Sequence, residues 1–433
     1  MAPEKPTMNA VVVGHVDHGK STCIGRLMYD SGVLPEQEMK KLREEAEKQG
    51  KVGFEFAYAM DNIKEERERG VTIDLSYQKL ITPKRQITVI DAPGHKDFVK
   101  NMITGASQAD VAFLTIAAKE GVQPQTKEHL WLLRTMGVSQ VAVNINKMDT
   151  VDYSEEAFNK AKADVSGMLK VVGIDPEKTT FLAVSGLMGD NIFKKSDKMA
   201  WYKGPTMFEQ LDLFDEPKKP TDLPMRMPCQ DVYDITGIGT VPVGKIETGI
   251  MKLGQKVIVI PGRTGAGVVG EVKTIEMHHE QLNEAPAGFN VGINIKGVGK
   301  KDIARGDVIC DAAKPATMAE EFTAQVAVIN HPTVIAKGYT PVFHVHTAQV
   351  PCQVIEILHK IDPASGQPME EKVDFLKNGD VAMLRLKPMG NLVIEESGIN
   401  PHMARFAIRD AGATVAAGVC TKVVEKKLVA EKK

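Results

Sequence analysis

The sequence predicts a mostly parallel α/β domain, with helices on both faces of its sheet, followed by two all-β barrel domains. Three observations lead there. From residue 9 to about 215, short apolar runs alternate with stretches whose apolar residues recur at helical spacing, the pattern of strand and helix in strict alternation. Beyond residue 224, strand-sized segments follow one another with Gly and Pro at intervals of about ten residues, which argues for barrels or sandwiches. Two proline-containing breaks, "FDEPKKPTDLP" at 214–224 and "AAKPATMAEE" at 312–321, divide the 433 residues into expected domains at 1–217, 218–318 and 319–433.

The first domain's expected strands are, in order, "AVVVG", "QITVIDAPG", "DVAFLTIAA", "QVAVNIN" and "TTFLAVSG". Each is apolar along its length, as strands covered on both faces are. Between them "KSTCIGRLMYD", "HKDFVKNMITGAS", "TKEHLWLLRTM" and "SEEAFNKAKADVSGMLKVVG" carry a helical apolar stripe. Residues 35–51, "PEQEMKKLREEAEKQGK", interrupt the rhythm: charges of both signs ending at a glycine predict a solvated helix inserted before the second strand. In the β half, "KVIVI", "VGEVKTIEM", "TAQVAVI" and "PVFHVHTAQV" read as strands, and the closing "KVVEKKLVAEKK" as a frayed, solubilising tail.

Composition excludes several classes. Hydrophobic residues at 43% and charged residues at 25% are those of an average globular protein, so disorder is not expected. Cys23, Cys229, Cys310, Cys352 and Cys420 lie far apart and offer no Cys-x-x-Cys zinc or redox pair; a reducing, cytoplasmic home follows. Neither a signal-peptide start nor an apolar run of spanning length is present, so no membrane association is expected. With a net charge of -2, any nucleic-acid partner would be gripped by a local patch rather than by a generally basic body.

The valine strand at residue 10 runs into Gly14, His15, Val16, Asp17, His18, Gly19, Lys20 and Ser21, which fit G-x-x-x-x-G-K-[ST]. Glycine at both ends lets the main chain curl so that successive N–H groups face phosphate oxygens. Lys20 adds a cation, and the helix that opens at Ser21 and Thr22 points its positive end at the same place. Ser21 would offer its hydroxyl to Mg²⁺.

A phosphate cradle alone does not distinguish ATP from GTP. Asn146, Lys147, Met148 and Asp149 do: a carboxylate at Asp149 accepts both N–H donors of guanine's edge, and adenine offers neither. Asn146 could bond the base's other polar edge and Lys147 could lay its stem along the ring. Ser185, Gly186 and Leu187 follow the next strand and would bring a main-chain N–H to the guanine carbonyl. Asp91, Ala92, Pro93 and Gly94 close another apolar strand, with Asp91 expected near Mg²⁺ through water and the Gly94 N–H on the γ-phosphate. His95 is a first-turn helical residue on the plain reading and a group that orients the attacking water on the functional one. "RERGVTID" at 67–74 is polar, then abruptly β; Thr72 is either a strand-start residue or a Mg²⁺ ligand only while a γ-phosphate is present, which would make the segment a switch.

Together "GHVDHGKST", "ERERGVTID", "DAPGHKDFVKNMITGASQAD" and "NKMD" resemble the translational GTPases. "WYKGPTMFEQLD", "QDVYDITGIGTVPVGKIETG", "IEMHHE" and "RFAIRD" are most similar to the elongation factor 1-alpha family in its archaeal or eukaryotic style, from residue 8 to about 425, and the insert at 35–51 matches that style. The resemblance implies a GTP- and GDP-binding carrier that delivers aminoacyl-tRNA to the ribosomal A site. It also implies GTP hydrolysis after codon recognition, a guanine-nucleotide exchange factor, and release- or rescue-factor partners. It places Val16 and Val71 as an apolar gate beside a catalytic His95, and Asp231, Glu276 and Asn290 around the aminoacylated 3′ end of the tRNA. Two positions depart from the family pattern: Leu187 stands where Trp is common, and Ala413 where relatives carry a longer polar residue.

Rival readings from the same group are a release-factor GTPase, disfavoured by the absent N-terminal extension, an initiation-factor subunit, disfavoured by the missing zinc cysteines, and the GTPase subunit of sulfate adenylyltransferase. An ATP-dependent phosphotransferase and a filament-binding structural protein are the rivals from other classes.

Overall fold

The computed structural model describes residues 5–51, 53–60, 64–69, 71–278, 280–362, 367–369 and 373–426. The chain forms one compact unit that ends at Pro217 and a second from Lys218 onward.

The first unit is built on six strands: β1 (Thr7–Gly14), β2 (Ser76–Ile81), β3 (Gln86–Asp91), β4 (Val111–Ala117), β5 (Gln140–Asn146) and β6 (Phe181–Ala183). Their order is β2-β3-β1-β4-β5-β6, all neighbours parallel except β2, which runs antiparallel at the edge. Because β1 carries only small and β-branched residues after Met8 and Asn9, it sits buried in the middle of the sheet. β1 lies between β3 and β4, so the loop leaving Gly14 opens at the carboxyl edge where the strand order runs outward both ways.

Helices α1 (Lys20–Asp30), α2 (Glu36–Lys48), α3 (Glu55–Tyr58), α4 (Lys64–Arg69), α5 (Val99–Gln108), α6 (Pro124–Met136), α7 (Glu155–Val171) and α8 (Met207–Leu213) complete the unit. Ile24 and Leu27 of α1 meet Val12, Phe113 and Leu182 of the sheet in one core. Ser154 caps α7 by accepting the Ala157 N–H at 3.2 Å, and Gly137 ends α6 at φ 91°.

Two expectations change here, and one edge strand escapes the sequence pattern. The insert does form a helix, α2, yet it is not wholly solvated: Met39, Leu42 and Ala46 make a buried stripe, and the last two pack on Tyr58. "RERGVTID" does not turn abruptly to strand, since α4 runs to Arg69 and β2 begins only at Ser76, leaving Thr72 in irregular chain. β2 itself carries Gln78 and Lys79 on an edge, a composition too polar to stand out as a buried strand.

Among the described residues, the second unit holds two large antiparallel β assemblies and two small two-stranded sheets. In the first, seven strands pair along one path, from Arg226–Pro228 at one end to Asp231–Ile235 at the other, around a core that includes Met227, Val257, Ile275 and Ile293. In the second, six strands close into a barrel around Phe322, Phe343, Leu384 and Phe406. "PVFHVHTAQV" is two strands, Val342–Val345 and Ala348–Ile361, joined by a tight turn in which His346 takes φ 51°. The expected tail is a strand as far as Glu425, paired with Ala319–Val328; residues 427–433 of that tail lie outside the described residues.

Candidate nucleotide-binding site

The loop between β1 and α1 has the geometry its glycines were read to allow. Gly14 takes φ 144° and Gly19 φ 83°, and a Cβ at Gly14 would stand 2.2 Å from the Thr115 carbonyl oxygen. At Gly19 a Cβ would stand 2.4 Å from Asn146 Nδ2, so neither position accepts a side chain. Lys20 folds back over the loop and donates from Nζ to the His15 carbonyl at 2.8 Å. Burial lowers its pKa to about 8, with Asp91 and Asp17 acting against that shift. His18 is buried behind the loop, and the Gly14 N–H donates to His129 Nδ1 at 3.1 Å.

Asp91, at the end of β3, is fully buried, and neither carboxylate oxygen has a hydrogen-bond partner. Burial pushes its pKa up to about 6, although the neighbouring Ser21 hydroxyl and Lys20 ammonium favour the ionised form. Even with that hydroxyl and the Lys20 ammonium favouring its charge, a buried carboxylate stays costly unless a further cation completes it. Ser21 Oγ and Thr72 Oγ1 lie 3.0 Å apart beside it. Two hydroxyls and a carboxylate suit a hard divalent cation such as Mg²⁺. Gly94 closes the wall: a Cβ there would be 2.4 Å from Lys20 Nζ and 2.9 Å from the Val16 nitrogen.

At the far end Asp149 is braced by the Ser185 hydroxyl, which donates to Oδ1 and accepts the Met188 N–H at 3.2 Å. Asn146 spends both ends of its amide on main chain: Nδ2 donates to the His18 carbonyl and Oδ1 accepts the Gly186 N–H, each at 2.9 Å. These bonds fasten the cradle to the 185–187 loop and leave the second Nδ2 hydrogen for a base edge. Lys147 takes φ 60°, and its ammonium reaches Glu120 Oε1 at 3.4 Å.

One cavity of about 420 Å³ joins these parts, a size common for small-molecule sites. Val16, Asp17, Gly19, Lys20, Ser21, Thr22, Val71, Thr72, Gly94, His95, Asn146, Lys147, Asp149 and Leu187 all line it. Gly14, His15, His18, Asp91, Ala92, Pro93, Met148, Ser185 and Gly186 are not in its wall. The Met148 side chain is fully buried in the core and leaves only main chain for any contact. His95 stands at the start of a short 3₁₀ turn, where its Nδ1 accepts the Asp97 N–H at 3.2 Å.

Sequence reasoning missed Gly53, Phe54, Ala57 and Thr150, which also line the cavity. The first three follow the insert, and an aromatic-dense "GFEFAY" was the only local signal. It also missed Glu120, whose carboxylate lies 3.5 Å from His18 Nε2 and 3.4 Å from Lys147 Nζ, bridging two loops.

In the second unit the strand register puts Asp231 opposite Val243, Val243 opposite Gly292, and Gly292 opposite Glu276. Residues in such a row share a face, and Asn290, two positions before Gly292, shares it too. Three strand spacings separate Asp231 from Glu276, about 14 Å. Asp231 Oδ1 accepts the Val232 N–H at 2.8 Å, and Glu276 Oε2 accepts from Gln281 Nε2 at 3.0 Å.

Comparison with known proteins gives three matching families: "Elongation factor Tu GTP binding domain" over residues 5–219, "Elongation factor Tu domain 2" over 239–310, and "GTP-eEF1A C-terminal domain-like" over 321–421. The chain is 56% identical over 430 residues to "Elongation factor 1-alpha" of Methanocaldococcus jannaschii, covering 98% of this chain and 100% of that one. To the protein of the same name from Methanosarcina mazei it is 54% identical over 426 residues, again 98% and 100%. Among solved structures, translation elongation factor SelB from Methanococcus maripaludis with the GTP analogue GppNHp shares the fold at TM-score 0.70 and 20% identity, over 98% of this chain and 80% of that one. A bacterial selenocysteine-specific elongation factor shares it at TM-score 0.69 and 21% identity, and this chain spans 58% of that chain's length.

Proposed function

The chain belongs to the elongation factor 1-alpha family of translational GTPases, and from that premise we propose that it carries aminoacyl-tRNA to the ribosomal A site with GTP bound and hydrolyses the GTP after codon recognition. It is a guanine-nucleotide-binding GTPase of translation elongation. The observation that carries the finer reading is a single cavity with a glycine-edged cradle at one end and Asp149, braced by Ser185, at the other.

In this reading the main chain of residues 14–22 wraps the β- and γ-phosphates, Lys20 exchanges the His15 carbonyl for phosphate oxygen, and Asp149 selects guanine. Lys147 and Leu187 line the cavity where the base would lie, and Leu187 in place of Trp is expected to cost little because main chain would make the polar contact. Ser21 and Thr72, with Asp91 through water, would hold Mg²⁺, which supplies neutralisation of the phosphate charge as it builds. His95 then has one defined duty. Its Nδ1 faces Asp97, which leaves Nε2 as the ring nitrogen to meet the attacking water and orient it. Val16 and Val71 share its wall and keep bulk water from that position.

Asp231, Glu276 and Asn290 on one sheet face are assigned to the aminoacylated 3′ end, and the functional divisions to 1–217, 218–318 and 319–433. A guanine-nucleotide exchange factor, the ribosome and release- or rescue-factor partners belong to the same reading, as does a cytoplasmic site of action. No helix among the described residues is long and apolar enough to cross a membrane.

Ester protection tests the carrier role. The protein is mixed with aminoacyl-tRNA and either GTP or GDP, and spontaneous deacylation is timed. Protection with GTP alone is expected; equal rates with both nucleotides would remove the carrier reading and leave a GTPase of another duty.

A further inference from the structure

The charged insert has no part in the reading above, yet it is tied to the segment that carries Thr72. Lys51 donates from Nζ to the Arg67 carbonyl at 2.8 Å, and Arg67 Nη1 donates to Glu45 Oε2 at 2.9 Å. The Tyr58 hydroxyl, buried beneath α2, lies 2.9 Å from Gln49 Oε1 and 3.3 Å from the same Arg67 carbonyl. One residue earlier in α4, Glu66 works on other partners: its Oε1 accepts the N–H groups of Ile73 at 2.9 Å and Asp74 at 3.0 Å. Asn101 of α5 holds the Ile73 carbonyl at 2.9 Å. Thr72 is the next residue, 3.0 Å from Ser21.

The insert is itself seated on rigid structure. α3 packs on α1 at Gly25, where a Cβ would stand 1.9 Å from the Phe56 carbonyl oxygen, and Phe54 and Ala57 line the cavity. A short helix of six residues, α4, thus stands between a fixed support and the hydroxyl assigned to sense the γ-phosphate.

We propose that the insert is a strut: Glu45 and Lys51 hold α4, α4 holds Ile73 and Asp74 through Glu66, and Thr72 is thereby kept turned into the cavity. Glu45 and Lys51 are positioning residues that set the preference for a guanosine triphosphate over a diphosphate. The inference rests on the reading of Thr72 as a contact made only while the γ-phosphate is bound. A diphosphate-bound site makes no such demand, so the strut acts on one nucleotide and not on the other. The Glu45–Arg67 pair is part-exposed, and such a pair is worth roughly 2- to 5-fold in an equilibrium; the Lys51 contact adds a similar factor.

The test uses the full chain with Mg²⁺ in solution and two fluorescent probes, GDP and a non-hydrolysable GTP analogue, timing dissociation of each. Amide hydrogen exchange at Ile73 and Asp74 is read in the analogue-bound state. E45Q and K51M should each speed analogue release about 2- to 5-fold, and together roughly 10-fold, with GDP release unchanged and faster exchange at both amides. The charge swap E45R/R67E should restore most of the loss seen in E45Q. T72A tests the underlying reading separately: if it leaves the analogue-to-GDP preference intact, the sensing role of Thr72 fails. If T72A abolishes the preference while E45Q/K51M leaves analogue release and both amides unchanged, the strut is overturned. Equal acceleration of both nucleotides in E45Q/K51M overturns it too, since that is what a merely structural insert gives.

Discussion

Loss of Arg226 should cost the second unit heavily. The side chain is 4% exposed and its partner Glu395 7%. Nε and Nη2 donate to Glu395 Oε1 at 3.0 and 2.8 Å, Nη1 to the carbonyls of Met225 and Lys314 at 3.0 and 2.9 Å, and Nη2 to that of Pro315 at 3.2 Å. Asn400 Nδ2 holds the other carboxylate oxygen at 2.8 Å. Truncation in R226A would leave a buried carboxylate without its cation and the Lys314 and Pro315 carbonyls without their donor, a loss of about 3–5 kcal/mol. In a unit of this size each kcal/mol moves the melting temperature by about 2–4 °C, so a fall of roughly 6–20 °C is expected. Calorimetry of the full chain reads it, because the first unit's transition climbs with added GDP by mass action and the second unit's does not. R226M/E395L should recover about half the loss, since it removes the stranded charge but not the stranded carbonyls. A fall of less than about 2 °C in R226A, or one confined to the GDP-dependent transition, would refute the reasoning.

Three further outcomes are expected. D149N keeps shape and an oxygen for the Ser185 contact but turns one of the two acceptors into a donor, so GTP affinity should drop about 10- to 100-fold and xanthosine triphosphate should be preferred, as competition binding would reveal. H95Q should slow ribosome-stimulated hydrolysis by about 10²- to 10⁴-fold with GTP affinity nearly unchanged; matched losses in both would make the residue structural. Burial lowers the pKa of His346 to about 4, and its Nε2 contacts the His402 carbonyl at 2.7 Å. The unfolded chain therefore takes up a proton first as pH falls, and stability present above pH 6.5 is lost progressively down to about pH 4, up to roughly 3 kcal/mol. H346Q should flatten that acid limb in urea titrations, and an unchanged limb would assign the loss to other groups.

The cradle, the Asp91 strand end and the Asn146–Asp149 loop were legible because each is a contiguous string whose residue types are dictated by a loop at a strand's carboxyl edge. The cavity brings most of those residues to one wall. What was not legible depends on partners remote in sequence. Met39, Leu42 and Ala46 do recur at helical spacing, but only the separate helix carrying Tyr58 makes two of them a core, and the surrounding charges masked the stripe. Glu120 bridges His18 and Lys147 from a loop with no motif of its own. The last strand looked like a tail because four of its five closing residues are charged or exposed, and only the facing strand Ala319–Val328 turns 422–425 into structure.

The Asn146 amide has a consequence for how a ligand leaves. Because one planar group is bonded at 2.9 Å to the His18 carbonyl on one side and the Gly186 N–H on the other, the loop around the base and the loop around the phosphates cannot slacken one at a time. Departure of a nucleotide is then a single concerted loosening, and whatever pries open either rim of the pocket undoes both.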